Sequence, residues 1–167
     1  MARSILLILL LAFVHSNNLA QAAKAGDVLG QKRPTFSLPD LNEKIQTPDN
    51  WKGKVLIINF WATWCTPCLK EIPMFNRVQK EYAPDGIQFI GIAIDNKASI
   101  EKFKQKTPIN YPVLYGIKST TKLVQEYGNE AGVLPFTIFI DRRGIIQRIA
   151  PGQLTEKYTR ESIEKML

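Results

Sequence analysis

The chain has 167 residues, 45% of them hydrophobic and 22% charged, with a formal net charge of +7. That size and balance suit one globular domain with a real core, and disorder is not the default reading. The lysines (Lys52, Lys54, Lys70, Lys80, Lys97, Lys102, Lys104, Lys106) are scattered rather than massed in one tract, so the surplus charge reads as a solvated basic surface with no nucleic-acid signature.

Met1-Ala2-Arg3-Ser4 is a short basic start, Ile5 to Val14 an apolar run, and Ala20-Gln21-Ala22 a small-x-small cleavage signal. This layout predicts a secretory signal peptide over residues 1–22 and an extracytoplasmic, periplasm-like location; the apolar run is too short for an ordinary membrane span. An uncleaved N-terminal membrane anchor is the other reading. No cysteine lies near the cleavage point, which excludes a lipoprotein anchor. Cleavage after Ala22 removes Arg3, taking the charge from +7 to +6, and removes His15, the only histidine. A chain without histidine cannot build a Ser–His or Cys–His triad, and two thiolates cannot complete a tetrahedral zinc set. No nucleotide motif is present either, so neither a metal nor a cofactor is expected.

Residues 23–33 read as a tether, and residues 34–167 as one domain. Phe36 and Leu38 alternate with polar neighbours, Pro39-Asp40-Leu41-Asn42 turns the chain, and Lys44 to Thr47 returns, predicting an N-terminal β-hairpin. Val55 to Trp61 is a near-continuous apolar run, the mark of a strand buried on both faces. Leu69, Ile72, Phe75, Val78 and Tyr82 then recur at helical spacing. Pro67 sits in the first turn of that helix, where proline costs little, and Pro73 sits inside it, where a kink is expected. Ile87 to Ile94 is the next buried strand, which closes a βαβ unit with a right-handed crossover. A helix over Ile100 to Lys106, a short strand over Tyr111 to Leu114 and a helix over Thr121 to Tyr127 follow. Phe136 to Ile140 and Ile145 to Ala150 flank the turn Asp141-Arg142-Arg143-Gly144 as an antiparallel pair, and Thr155 to Met166 is a last helix. The fold class is α/β, with a mixed central sheet flanked by helices.

Both cysteines lie in Trp64-Cys65-Thr66-Pro67-Cys68. A bridge between them closes so small a loop that the chain-entropy account gives it only roughly 2 kcal/mol, so chemistry explains the pair better than stapling. The predicted strand ends just before Cys65 and the helix begins there. Unpaired amides and the helix dipole stabilise an anion at that place, which activates the Cys65 thiolate. Cys68 lies one turn deeper. The expected mechanism is attack by Cys65 on a substrate disulfide, then resolution of the mixed disulfide by Cys68.

Asn59-Phe60-Trp61-Ala62-Thr63-Trp64-Cys65-Thr66-Pro67-Cys68, with Pro73 five residues on, resembles the active-site segment of the thioredoxin superfamily. More narrowly, Phe36-Ser37-Leu38-Pro39-Asp40-Leu41-Asn42 followed by Val55-Leu56-Ile57-Ile58-Asn59 is similar to extracytoplasmic reductases of the TlpA, ResA and DsbE type. The resemblance runs from about Phe36 to the last helix. It implies a thioredoxin-like fold with an N-terminal β-hairpin and a central helix-strand-helix insertion. Gly132-Val133-Leu134-Pro135-Phe136-Thr137 resembles the family's cis-proline segment, which implies a cis bond at Pro135 and a Leu134 backbone that pairs with an extended substrate strand; the other reading is an ordinary trans proline opening a strand. The resemblance also makes Glu71 an acid/base partner of the dithiol, against the plain reading of a solvated helix carboxylate. Cytosolic-type thioredoxins carry their buried carboxylate at the place of Asn59, where this chain has an amide. Trp64, Thr66 and Pro67 form the expected substrate-receiving rim. Glu43 stands where a glycine is usual in the family, and Asn42 is expected to take up the left-handed conformation there.

The reading is a monomeric thiol-disulfide oxidoreductase with catalytic Cys65, Cys68 and Glu71. It acts on protein thiols and disulfides, apocytochrome c among them, as in cytochrome c biogenesis, and is recharged by a membrane thiol-disulfide reductant. Thr66-Pro67 offers no cation to stabilise the reduced pair, so a potential below about −180 mV and a reducing role are expected. The alternatives are a thiol peroxidase of peroxiredoxin type, whose sequence setting before the cysteine is not matched here, and a redox-inert binding domain.

Overall fold

The computed structural model describes residues 27–167. The expected signal peptide and the first part of the expected tether lie outside the described residues.

Residues 28–33, within the expected tether, are packed on the domain. Val28 is buried, the Gly30 N–H donates to the Ile146 carbonyl at 2.8 Å, and the Arg33 N–H donates to that of Gly144 at 2.9 Å. The segment lies along the outer edge of the last strand and satisfies backbone groups that an edge leaves open. The hairpin is short: β1 (Leu38–Pro39) pairs antiparallel with β2 (Ile45–Gln46). The left-handed residue of its turn is Glu43, at φ 63°, and not Asn42 as expected. The Glu43 N–H donates to the Asp40 carbonyl and the Asp40 N–H to that of Lys44, a loop whose last position needs positive φ. That position falls on residue 43, whose carboxylate accepts from Lys97 Nζ at 2.7 Å and from the Tyr115 hydroxyl at 2.9 Å.

The main sheet contains β3 (Val55–Trp61), β4 (Ile87–Ile94), β5 (Val113–Gly116), β6 (Phe136–Ile140) and β7 (Ile146–Pro151), in the spatial order β5-β4-β3-β6-β7. β3 pairs parallel with β4 and antiparallel with β6, so the sheet is mixed. Every residue of β3 is buried, and its two-residue period divides it between two cores. Val55, Ile57 and Trp61 pack with Ile72, Phe75 and Val78 of α1 (Thr66–Tyr82), Ile100 of α2 (Lys97–Lys104) and Ile163 of α4 (Glu156–Glu164). Leu56, Ile58 and Phe60 pack on the other face with Leu123 and Val124 of α3 (Lys118–Glu126) and with Tyr127. α1 continues past Pro73 as one helix. α2 starts three residues before its expected position because Asn96 caps it, its side chain accepting from the Ser99 N–H at 3.0 Å. The elements α2, β5 and α3 are the expected helix-strand-helix insertion.

Two of the scattered lysines join a mixed cluster that also holds Asp49 and Asp141. Lys52 and Lys54 meet Lys32, Arg33, Arg142 and Arg143 around a concavity of about 360 Å³ at the start of β3, the end of the sheet away from the cysteines.

Candidate active site at the start of the long helix

Parallel pairing of β3 and β4 brings Trp61 beside Ala93 at the carboxyl ends of the strands, and the chain must turn there into α1. Asp95, just past β4, holds that turn. One carboxylate oxygen accepts from both the Thr63 N–H, at 3.1 Å, and the Thr63 hydroxyl, at 2.6 Å. Cys65 follows as the N-cap residue of α1, its N–H donating to the Ala62 carbonyl at 3.1 Å and its carbonyl accepting from the Leu69 N–H at 3.2 Å. Its sulfur therefore stands at the positive end of a 17-residue helix. Cys65 and Cys68 are joined in a disulfide, with 5.3 Å between their Cα atoms. Cys65 is 5% exposed and Cys68 is fully buried, so of the two cysteines only Cys65 is open to solvent. Trp64, Thr66 and Pro67 are exposed around it; Trp64, at 69%, is a large apolar side chain left in solvent.

The Leu134–Pro135 bond is cis. The antiparallel register Asn59↔Thr137 and Phe60↔Phe136, carried one step on, sets Pro135 beside Trp61 and so next to the turn that carries Cys65. Pro135 is buried and Leu134 half-buried, packed against both cores.

Glu71 is 1% exposed, which removes the reading as a solvated helix carboxylate. It lies three residues after Cys68, on the same helix face. Asn59 Nδ2 donates to its Oε1 at 3.1 Å and the Leu154 N–H to its Oε2 at 2.6 Å. The same Asn59 amide donates to Thr137 Oγ1 at 3.0 Å. Burial pushes the Glu71 carboxyl up to about 7, against the opposing pull of the Leu154 and Asn59 hydrogen bonds. Burial also holds the Tyr111 hydroxyl well above its ordinary range, with the charge of Glu71 adding to it. A carboxyl group that exchanges its proton near neutrality, one helical turn behind a thiol, is placed for general acid–base work.

The structure thus brings Cys65, Cys68, Glu71, Trp64, Thr66, Pro67, Leu134 and Pro135 to one end of the sheet. Sequence reasoning missed Asp95, Thr137, Tyr111 and the Leu154 amide. Asn59 carried a readable signal, since it is the polar member of the odd-numbered set Val55, Ile57, Asn59 and Trp61 that points toward the helix. Asp95 and Leu154 carried none, because both act from loops.

Residues 29–149 match the AhpC/TSA family. The chain belongs to that family. It is 30% identical over 171 residues to the thiol-disulfide oxidoreductase ResA of Geobacillus kaustophilus, covering 100% of this chain and 92% of that one. It is 32% identical over 162 residues to the thioredoxin-like protein YneN of Bacillus subtilis, covering 96% and 94% of the two chains. Among solved structures it is similar to a putative thiol:disulfide interchange protein DsbE from Chlorobium tepidum, with a TM-score of 0.75 and 26% identity over 83% of this chain and 96% of that one. This AhpC/TSA member therefore has a thioredoxin-like fold, and its enzyme class is thiol-disulfide oxidoreductase of the ResA and DsbE type.

Proposed function

We propose that the protein reduces disulfides of exported proteins outside the cytoplasm, with Cys65 as nucleophile, Cys68 as resolving thiol and Glu71 as proton carrier. The Cys65 thiolate attacks one sulfur of the substrate disulfide; that bond breaks, and the departing thiolate takes up a proton. Cys68 gives its proton to the Glu71 carboxylate and attacks the Cys65 sulfur, which releases the second substrate thiolate. Two electrons pass to the substrate, and the Cys65–Cys68 disulfide is the product left on the enzyme. A membrane thiol-disulfide reductant returns it to the dithiol. Leu134 and Pro135 receive an extended substrate segment, and Trp64, Thr66 and Pro67 form the rim against which it rests. The leader-like layout of residues 1–22 supports the location, and the likeness to ResA and DsbE-type proteins supports apocytochrome c as one substrate.

The observation that carries this reading is a fully buried carboxylate one helical turn behind Cys68, with Cys65 at the helix N-cap in front of both. Incubation of the reduced Cys68→Ser chain with an extracytoplasmic extract tests it. A mixed disulfide through Cys65 is expected to accumulate, to vanish in Cys65→Ser, and to contain thiol proteins such as apocytochrome c. A redox titration is expected to fall below about −180 mV; a value near about −120 mV, that of the strong oxidants, would make the protein a donor of disulfides instead. Rapid peroxide consumption by Cys68→Ser would move the assignment to a thiol peroxidase.

A further inference from the structure

Between β7 and α4 lies the turn Gly152-Gln153-Leu154. Its first residue donates the Gly152 N–H to the carbonyl of Pro135 at 2.8 Å. Two residues on, the Leu154 N–H donates to Glu71 Oε2 at 2.6 Å. One turn thus grips both the backbone that heads β6 and the carboxylate behind Cys68. Leu154 is anchored by its own half-buried side chain, which packs against the core that contains Cys68 and Ile72. Gly152 sits at φ +85°, and a Cβ built there would meet nothing within 4 Å. Glycine is therefore required by backbone conformation and not by crowding. The second carboxylate oxygen is held by Asn59, itself tied to Thr137 of β6, so both oxygens are referenced to the strand that Pro135 opens.

We propose that Gly152–Leu154 is a positioning turn, which seats the Glu71 carboxylate in register with the Pro135 platform so that its proton exchange with Cys68 occurs where substrate is held. The inference rests on the disulfide-exchange reading above. The groups of the turn touch neither sulfur; they act through Glu71. A main-chain N–H on Oε2 favours the ionised carboxylate, the form that accepts the Cys68 proton. Among the described residues, the charge of Glu71 acts on Tyr111, and Cys68 lies one turn away on the same helix; Asn59, Thr137 and Leu154 offer only neutral groups.

The test uses the full chain and the pH dependence of single-turnover reduction of a disulfide-bonded peptide. Gly152→Asn, Gly152→Ala and Gly152→Val carry an increasing penalty for positive φ, and the Cβ that each adds meets nothing within 4 Å. Leu154→Pro deletes the N–H outright. Gly152→Asn is expected to keep the wild-type profile. Gly152→Val and Leu154→Pro are expected to move its acid limb upward by about one pH unit, the worth of one hydrogen bond to a charged group. On a Glu71→Gln background the same substitutions are expected to leave the profile unmoved. An unmoved limb in a folded Gly152→Val chain, or a shift that persists without Glu71, overturns the proposal. Thermal unfolding checks that each variant is folded, and the Asn–Ala–Val series decides the matter if Leu154→Pro is not. Failure of the exchange reading looks different, since Cys65→Ser would then reduce the peptide as well as the wild type does.

Discussion

Asn59 and Glu71 face each other across the interface of β3 and α1, the strand amide donating to the helix carboxylate at 3.1 Å in a site closed to solvent. Because the strand residue is an amide, one carboxyl group alone titrates there. It has hydrogen-bond donors on both oxygens and, among the described residues, no cation as a hydrogen-bond partner. Desolvation outweighs those two bonds, which is why the group sits near neutrality and not in the ordinary carboxylate range.

This predicts an unusual pH dependence of stability. The folded carboxyl titrates at about 7 and the unfolded one at 4.5, so between those values the folded chain binds the proton that the unfolded chain has lost. Stability therefore falls as pH rises from 4.5 to 7, by about 3 kcal/mol in all for this one group. Carboxylates held low by partners, such as Asp40, Asp141 and Glu156, act in the opposite sense and at more acid pH. Denaturant unfolding of the oxidised protein across this range, wild type against Glu71→Gln, isolates the contribution. The glutamine chain is expected to lack the fall; parallel curves would show that Glu71 is not protonated on folding.

Asp95 is predicted to hold the turn that presents the dithiol. Asp95→Ala leaves the Thr63 N–H and hydroxyl without their acceptor, at a cost of about 1–3 kcal/mol. A lowered Tm with slower exchange at Cys65 is expected, and Asp95→Asn, which keeps one acceptor oxygen, should fall between. Exchange at the wild-type rate in a destabilised Asp95→Ala chain would separate the turn from the chemistry.

Glu43 sets two effects against each other. Its positive φ is unfavourable for any residue with a Cβ, while its carboxylate ties the hairpin to Lys97 of α2 and Tyr115 of β5. Glu43→Ala keeps the backbone strain and loses the ties, so its Tm should drop below wild type. Glu43→Gly loses the same ties and relieves the strain, so its Tm should exceed that of Glu43→Ala by a few degrees. Equal melting temperatures for the two variants would mean that residue 43 carries no conformational penalty.

The Cys65-x-x-Cys68 spacing, the buried run Val55–Trp61 and the helical period from Leu69 to Tyr82 were legible as residues, because each is a local pattern that burial or chemistry demands of neighbouring positions. They suffice for the α/β class, for a sulfur at a helix start and for a second sulfur one turn inside. The environment of Glu71 was not legible. Its partners stand 12 and 83 positions away, at Asn59 and Leu154; the polar place of Asn59 in a buried strand could be read, but nothing in Leu154 announces a contact made by a loop N–H. The same holds for Asp95, 32 positions from Thr63, and for Glu43, whose backbone follows from where the hairpin loop closes. Local order is written in periodicity. Burial of a charge, and therefore the pH at which it moves a proton, depends on which distant backbone happens to close over it, and that is decided when the sheet, the helix and the Gly152–Leu154 turn are assembled together.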